Sequence, residues 1–183
     1  MDQRITESRH SLAQGGLRLI LGVIFVVHGA QKLFGWFGGH GLSGTGAFFE
    51  SMGFPQGKRQ AFTAGLFEAG GGLLIALGLL TPFAAAALIA VMTVAVIKVH
   101  FQKGVWVTQG GYEYNAVLVA IVFALSGVGA GNWSLDHALS LHVAGTGWAL
   151  AALGAGLLGG LGAVLSGRLA GEARAGHGQA TAA

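Results

Sequence analysis

Ionisable side chains interrupt the apolar stretches of this sequence at six positions, here called the polar cluster: His28, Lys32, Glu68, Lys98, His100 and Glu113. Carboxylate, imidazole and amine groups can donate, accept and relay protons when they are held near a reacting molecule. A charged residue deep in a bilayer costs about 2.5–3.5 kcal/mol on insertion scales, so it normally faces the protein interior, is paired or lines a cavity. Glu68 is the only charge in its apolar stretch and is the most informative candidate.

The overall composition indicates a membrane protein. Of 183 residues, 53% are hydrophobic and 9% are charged, whereas roughly a quarter of the residues of a soluble domain are charged. The absence of cysteine excludes disulfides, iron–sulfur clusters, thiolate zinc sites and thiol redox chemistry in this chain. Lys and Arg are scattered, with only Lys58 and Arg59 adjacent, so no nucleic-acid surface is predicted. We also predict no metal site, and we expect a multi-pass protein of the cell inner membrane.

Five apolar segments are long enough to cross the bilayer, which takes about 20 residues at a rise of 1.5 Å each. They are residues 17–34, 61–80, 83–101, 112–130 and 143–165. The predicted fold class is therefore all-α, a polytopic membrane bundle of five helices, the last of them a C-terminal transmembrane helix.

The remaining segments are predicted to lie outside the bilayer core. Residues 1–16 form a polar N-terminal tail, and residues 166–183 are small, polar and predicted to be disordered. Residues 35–60 contain a short apolar helix that Gly53 and Pro55 would end. We expect this segment to lie along the membrane interface, over the mouth of a polar site.

Alternating helix directions place the whole polar cluster on one side of the membrane. His28 lies about six residues before the end of the first span and Glu68 about seven after the start of the second, so each is roughly 10 Å deep. Lys32 is one turn nearer the surface on the face of His28. We expect Glu68 to meet His28 or Lys32, with His100 and Glu113 nearby. The alternative is that Glu68 and Lys32 or His28 form a purely structural pair that fixes the packing of the first two spans. Lys98, close to a helix end, can extend its ammonium group to the membrane interface.

Opposite charges on the other side of the membrane predict a structural clamp. Arg18 begins the first span, Asp136 follows the fourth, and we expect the two side chains to pair.

Basic residues flanking the spans indicate the orientation of the chain, because Lys and Arg in short loops are retained in the cytoplasm. The polar-cluster side carries seven of them: Lys32, Lys58, Arg59, Lys98, Lys103, Arg168 and Arg174. The other side carries three: Arg4, Arg9 and Arg18. The count predicts a cytoplasmic polar cluster and C-terminus and an external N-terminus.

Several short motifs resemble the DoxX family of small bacterial membrane proteins over roughly residues 17–139. They are Leu17-Arg18-Leu19, His28 to Gly35, Glu68 to Gly71, Gly78 to Thr81, Val99-His100, Gly110 to Tyr114 and Ser134 to Asp136. The resemblance implies a four-helix membrane bundle within residues 17–142. It also implies a relation to DoxD-like subunits of thiosulfate:quinone oxidoreductases and to subunits of membrane-associated oxidoreductase complexes. The fifth helix lies beyond the shared region, where we expect it to serve a partner or a homo-oligomer contact.

Two classes of function follow from these residues. In the first, a membrane redox subunit holds a quinone head group: His28, Lys32 and Tyr112 donate hydrogen bonds, and Glu68, Glu113 and His100 relay protons. Electrons would come from soluble or membrane oxidoreductase partners or from a non-covalent cofactor. Haem b between His28 and His100 is a less favoured variant, because their apparent depths differ. In the second class, the chain is a non-enzymatic scaffold or assembly partner, or a small transporter that uses Glu68.

Overall fold

The computed structural model describes the backbone of residues 2–180 and the side chains of residues 10–171. Over that backbone the chain is helical, with no β-strand. The helices are α1 (Asp2–Phe34), α2 (Gly41–Ser51), α3 (Gly57–Leu77), α4 (Thr81–Ala95), α5 (Glu113–Val128), α6 (Leu135–Ala138) and α7 (Thr146–Ala180). A π-helical turn, Val96–His100, and a 3-10 turn, Phe101–Lys103, continue α4, and a second 3-10 turn, Val107–Gln109, precedes α5.

Four helical stretches within residues 10–171 are long and apolar enough to cross a membrane: His10–Phe34, Gly57–Leu77, Thr81–Lys103 and Thr146–Gly171. Helix α5 corresponds to the predicted fourth span but has 16 residues. At 1.5 Å per residue it is about 24 Å long, somewhat less than the hydrocarbon core. It packs against α4 and α7 and contacts α1. The predicted fold class, an all-α membrane bundle with an added C-terminal helix, is confirmed.

Glycines let α1 and α3 pack with their backbones in contact. A methyl group added at Gly72 would lie 2.7 Å from the carbonyl oxygen of Gly22, and one added at Gly29 would lie 2.5 Å from the Ala69 nitrogen. Small residues of this kind let membrane helices approach closely. Because Lys32 lies one turn beyond Gly29 and Glu68 precedes Ala69, the contact also sets the distance between those two charged side chains.

Helix α7 also packs closely against α4 through glycines. A methyl group at Gly156 would lie 2.5 Å from the Ile89 Cβ atom, and one at Gly160 would lie 2.5 Å from the Thr93 Cβ atom. The helix that follows the four-helix region is therefore part of the same packed unit. Buried apolar side chains of α1, α3, α4 and α5 form the central core: Leu21, Phe25, Ile75, Leu88, Ile89, Val122 and Leu125.

The segment between α1 and α3 folds onto the bundle. Phe54 is buried, and its ring lies against Gly167 of α7. The Lys98 ammonium donates to the carbonyl oxygen of Met52 at 3.1 Å and lies 4.9 Å from the centroid of the Phe54 ring. Lys98 thus attaches the segment that follows α2 to the π-helical turn.

Both ends of the chain are more helical than predicted. Helix α1 already begins at Asp2, so the predicted polar tail 1–16 is helical from that residue; Met1 lies outside the described residues. Helix α7 continues to Ala180, whereas the sequence predicts disorder for residues 166–183; residues 181–183 lie outside the described part. Extending an existing helix by one residue is far easier than nucleating a new one, so a stable span carries helix into its flanks.

The predicted clamp between Arg18 and Asp136 is also wrong in its detail. The Asp136 carboxylate accepts hydrogen bonds from the Leu80 nitrogen at 2.7 Å, the Thr81 nitrogen at 3.2 Å and the Thr81 hydroxyl at 2.8 Å. Arg18 donates instead to the carbonyl oxygen of Trp133 at 2.5 Å, and the two described side chains form no direct ion pair. The unpaired N–H groups at the start of α4 are strong partners for a carboxylate, which explains the difference.

Candidate functional site

A buried ion pair between α1 and α3 lies at the centre of the candidate site. The Lys32 Nζ atom donates to Glu68 Oε2 at 2.5 Å. The Glu68 side chain is 3% exposed and the Lys32 side chain 24% exposed, so the carboxylate depends on the protein for its partner, whereas the ammonium also reaches the outside. Lys32 has three N–H donors, and the pair uses one of them. The others remain available to a ligand.

Two histidines face the same region from α1 and from the end of the α4 span. The His28 Nδ1 atom lies 2.8 Å from the carbonyl oxygen of Ile24, and the His100 Nδ1 atom lies 2.6 Å from the carbonyl oxygen of Gly110. A carbonyl oxygen can only accept, so in each ring Nδ1 carries the hydrogen. This leaves Nε2 of both imidazoles as the nitrogen that a ligand or a water molecule can use.

These side chains line a cavity of about 280 Å³, here called the polar cavity, between α1, α3, α4 and α5. Its polar lining residues are His28, Lys32, Glu68, His100, Tyr114 and Asn115, and its apolar walls include Phe25, Met92 and Leu118. Gly110 and Gly111, in the loop before α5, close one end. An apolar cavity of about 150 Å³ holds a benzene molecule, so the polar cavity has room for a head group of one or two rings.

A second cavity of about 340 Å³, here called the apolar cavity, lies between α2, α3, α4 and α7. Most of its lining is aliphatic or aromatic. It includes Phe48 from α2, Met52 directly after α2, Phe67 from α3 and Val94 from α4. Four residues line both cavities: Lys32, Glu68, Ala95 and His100. The ion pair and His100 therefore stand at the boundary between a polar and an apolar space.

The predicted site residues separate into two groups. His28, Lys32, Glu68 and His100 share the polar cavity. Glu113 and Tyr112 line neither of the two cavities formed by the described residues. The Glu113 carboxylate accepts a hydrogen bond from the Val107 nitrogen at 3.0 Å, and the Tyr112 ring stacks on Phe101 with centroids 6.2 Å apart. Both side chains thus organise the loop before α5, and the catalytic and binding roles predicted from sequence stay predictions.

Two polar residues of the cavity were missed from sequence. Tyr114 and Asn115 follow the first residue of α5, and Asn115 is buried and donates to the Met92 sulfur at 3.3 Å. Asn115 shares one helix face with the buried residues Leu118, Val122 and Leu125. A polar amide on the buried face of an apolar helix is the signal that could have identified it.

This arrangement suits a neutral, flat molecule with hydrogen-bond acceptors at its edge. The cavity is lined by an amine and a phenol, which can donate hydrogen bonds, by two imidazoles and by a carboxylate. Its remaining walls are mostly apolar. Among the side chains of residues 10–171, no three His, Cys, Asp or Glu groups come together as a metal site would need.

Comparison with known proteins gives the family. The sequence model named DoxX matches residues 14–101, which hold most of α1, all of α2, α3 and α4, and the π-helical turn. A curated protein of Bacillus subtilis, named "Putative oxidoreductase CatD", is 32% identical over 111 residues, which are 61% of this chain and 76% of that protein. No solved structure matches the chain. With these matches and this helical fold, the chain belongs to the DoxX family.

Proposed function

We propose that this DoxX protein is an inner-membrane subunit of a redox system and that its polar cavity holds the head group of a quinone. The observation that carries the proposal is the boundary between the two cavities. A small polar space lined by several hydrogen-bonding side chains lies beside an apolar space, and the two share Lys32, Glu68 and His100 in their linings. An amphiphile with a flat polar head and an apolar tail fits that combination. The printed name of the relative, an oxidoreductase, supports the reaction class.

The residues of the cavity have two roles toward such a head group: some donate hydrogen bonds to it and others transfer protons. When bound, a quinone accepts electrons together with protons. Lys32 and Tyr114 donate hydrogen bonds toward its carbonyl oxygens. His28 and His100, whose Nδ1 atoms are fixed by carbonyl oxygens, hold or release a proton at Nε2. Glu68, hydrogen-bonded to Lys32, exchanges protons with the cavity. Electrons would come from a partner oxidoreductase or from a non-covalent cofactor, because the chain contains no cysteine.

Binding of a tail-free benzoquinone to the full chain in lipid nanodiscs tests the proposal. We expect saturable binding. Tyr114→Phe, which removes the hydroxyl of a residue that lines the cavity, should weaken binding by about fivefold, the equivalent of one hydrogen bond at roughly 1 kcal/mol. The matched comparison is Tyr112→Phe: Tyr112 lines neither cavity, so we expect an unchanged affinity, and weaker binding would support the binding role predicted for Tyr112 from sequence. Binding that never saturates would instead favour a scaffold or assembly role.

Turnover in membranes of the host tests the proton-transfer role of Glu68. Glu68→Gln should abolish quinone-linked activity while the protein still inserts. The control Glu50→Gln alters an exposed carboxylate of α2 whose Oε1 accepts from the Gly57 nitrogen, a contact that an amide oxygen can keep. Unchanged turnover in Glu68→Gln would return Glu68 to a structural role.

A further inference from the structure

We infer that the apolar cavity is a chamber for the first part of the quinone's isoprenoid tail and that helix α7, which lies outside the residues matched by the family model, forms its selective wall. This inference rests on the proposed function and adds the tail as a second determinant of binding. Its starting point is geometric: Ala95 and His100 line both cavities beside the buried ion pair. Because the two cavities lie side by side at these residues, a tail that passes them on leaving the polar cavity would lie in the apolar cavity.

The size of the chamber sets how much tail it holds. Along α4 and the π-helical turn it reaches from Ala90 to His100, ten helical steps or roughly 15 Å. Its volume of about 340 Å³ is roughly twice that of a cavity of about 150 Å³ that holds benzene. It therefore accommodates about two five-carbon units, and a longer tail must continue outward. Phe48 and Phe67 line the chamber and are 50% and 42% exposed, so the exit lies beside α2 and α3.

Helix α7 contributes Gly159, Gly160 and Ala163 to the chamber. Gly160 is packed against α4, where a methyl group would lie 2.5 Å from the Thr93 Cβ atom. Gly159 differs, because the nearest atom to a methyl group there is the Ala90 Cβ atom at 3.7 Å. The absence of a side chain at Gly159 is thus not required by helix packing, and it leaves the wall of the chamber open.

A pair of matched substitutions tests this wall. Gly159→Leu places an isobutyl group at the chamber, whereas Gly162→Leu places the same group on an exposed part of the same helix with no atom within 4 Å of its first carbon. Both changes replace glycine by leucine within one helix and so have the same effect on helix propensity. Ala163→Leu, also at the chamber, is a second variant in case Gly159→Leu does not insert.

The ligands are a decyl-substituted benzoquinone and the same benzoquinone with a methyl group in place of the decyl chain, each titrated onto the full chain in nanodiscs. Gly159→Leu should weaken binding of the decyl compound at least tenfold, which corresponds to about two CH₂ groups kept out of the chamber. Binding of the methyl compound should change less than twofold, and Gly162→Leu should behave as the wild type with both compounds.

The outcomes separate this inference from the proposed function. If the methyl compound binds saturably and Gly159→Leu and Ala163→Leu leave the decyl affinity unchanged, the tail chamber is overturned and the head-group site stands. If the methyl compound does not bind, the proposed function fails and the inference fails with it. Equal weakening of both compounds by Gly159→Leu would show a distorted bundle and would also overturn the selective wall.

Discussion

The ion pair between Lys32 and Glu68 allows a prediction about stability in which the two partners are not equivalent. The side chain of Glu68 is 3% exposed and that of Lys32 is 24% exposed. Removing the lysine leaves a carboxylate buried without its partner. Removing the carboxylate leaves an ammonium on a flexible stem that can turn toward water. The pair should therefore respond differently to Lys32→Met and to Glu68→Gln.

The magnitudes follow from this asymmetry. Breaking a buried pair by removing one partner costs about 3–5 kcal/mol when the remaining charge cannot escape, and Lys32→Met is that case. In Glu68→Gln the amide oxygen can still accept from Lys32, so the loss should be nearer the roughly 1 kcal/mol of one hydrogen bond. The double variant Lys32→Met/Glu68→Gln contains no buried charge at these positions. It should therefore be more stable than Lys32→Met alone.

The assay is the free energy of unfolding of the full chain in mixed micelles, measured by denaturant titration for the wild type, both single variants and the double variant. Lys58→Met is the control, because it removes an exposed lysine near the start of α3 and should change stability by less than about 0.5 kcal/mol. Equal losses for the two single variants, or a double variant that shows the sum of both losses, would refute the reasoning.

Three further predictions concern packing, capping and orientation. Gly72→Ala forces a methyl group to within 2.7 Å of the Gly22 carbonyl oxygen and should lower the free energy of unfolding by about 1–3 kcal/mol. Gly70→Ala, where no atom lies within 4 Å of the added methyl group, should be neutral or stabilising in the same titration. Asp136→Ala should destabilise by about 1–3 kcal/mol for each N–H group at the start of α4 left unpaired, and Asp136→Asn should cost less. A C-terminal green fluorescent protein fusion should fluoresce, because the distribution of Lys and Arg predicts a cytoplasmic C-terminus; a dark fusion with an active alkaline phosphatase counterpart would reverse that orientation.

The helices could be predicted from sequence because apolar length identifies spans. Alternation of direction places Glu68 on the same side as His28 and Lys32, but the sequence did not decide which of the two is its partner. The structure brings Lys32 and Glu68 together at 2.5 Å. The close packing that makes this possible is less visible in sequence, because glycines at Gly22 and Gly72 could equally be read as weak helix positions.

The parts that sequence did not reveal depend on rotation of helices about their axes. Tyr112 and Tyr114 are two residues apart, and only the start of α5 at Glu113 and its packing decide that Tyr114 faces the cavity. We expected the Asp136 carboxylate to pair with Arg18, but it accepts three hydrogen bonds from Leu80 and Thr81 at the start of α4. Whether a carboxylate bonds to a nearby side chain or to backbone N–H groups depends on the backbone geometry, which residue spacing in the sequence does not specify.

The π-helical turn at Val96–His100 has a consequence for aligning this chain with its relatives. A π turn closes its hydrogen bonds one residue later than an α turn, so relative to a continuous α-helix the segment holds an inserted residue. Each residue of an α-helix advances by about 100° around the axis. A relative that lacks the turn would present its following residues on a face rotated by about that angle. A gap of one position within residues 96–100 would then be needed to pair His100 with the residue that occupies the same place in space.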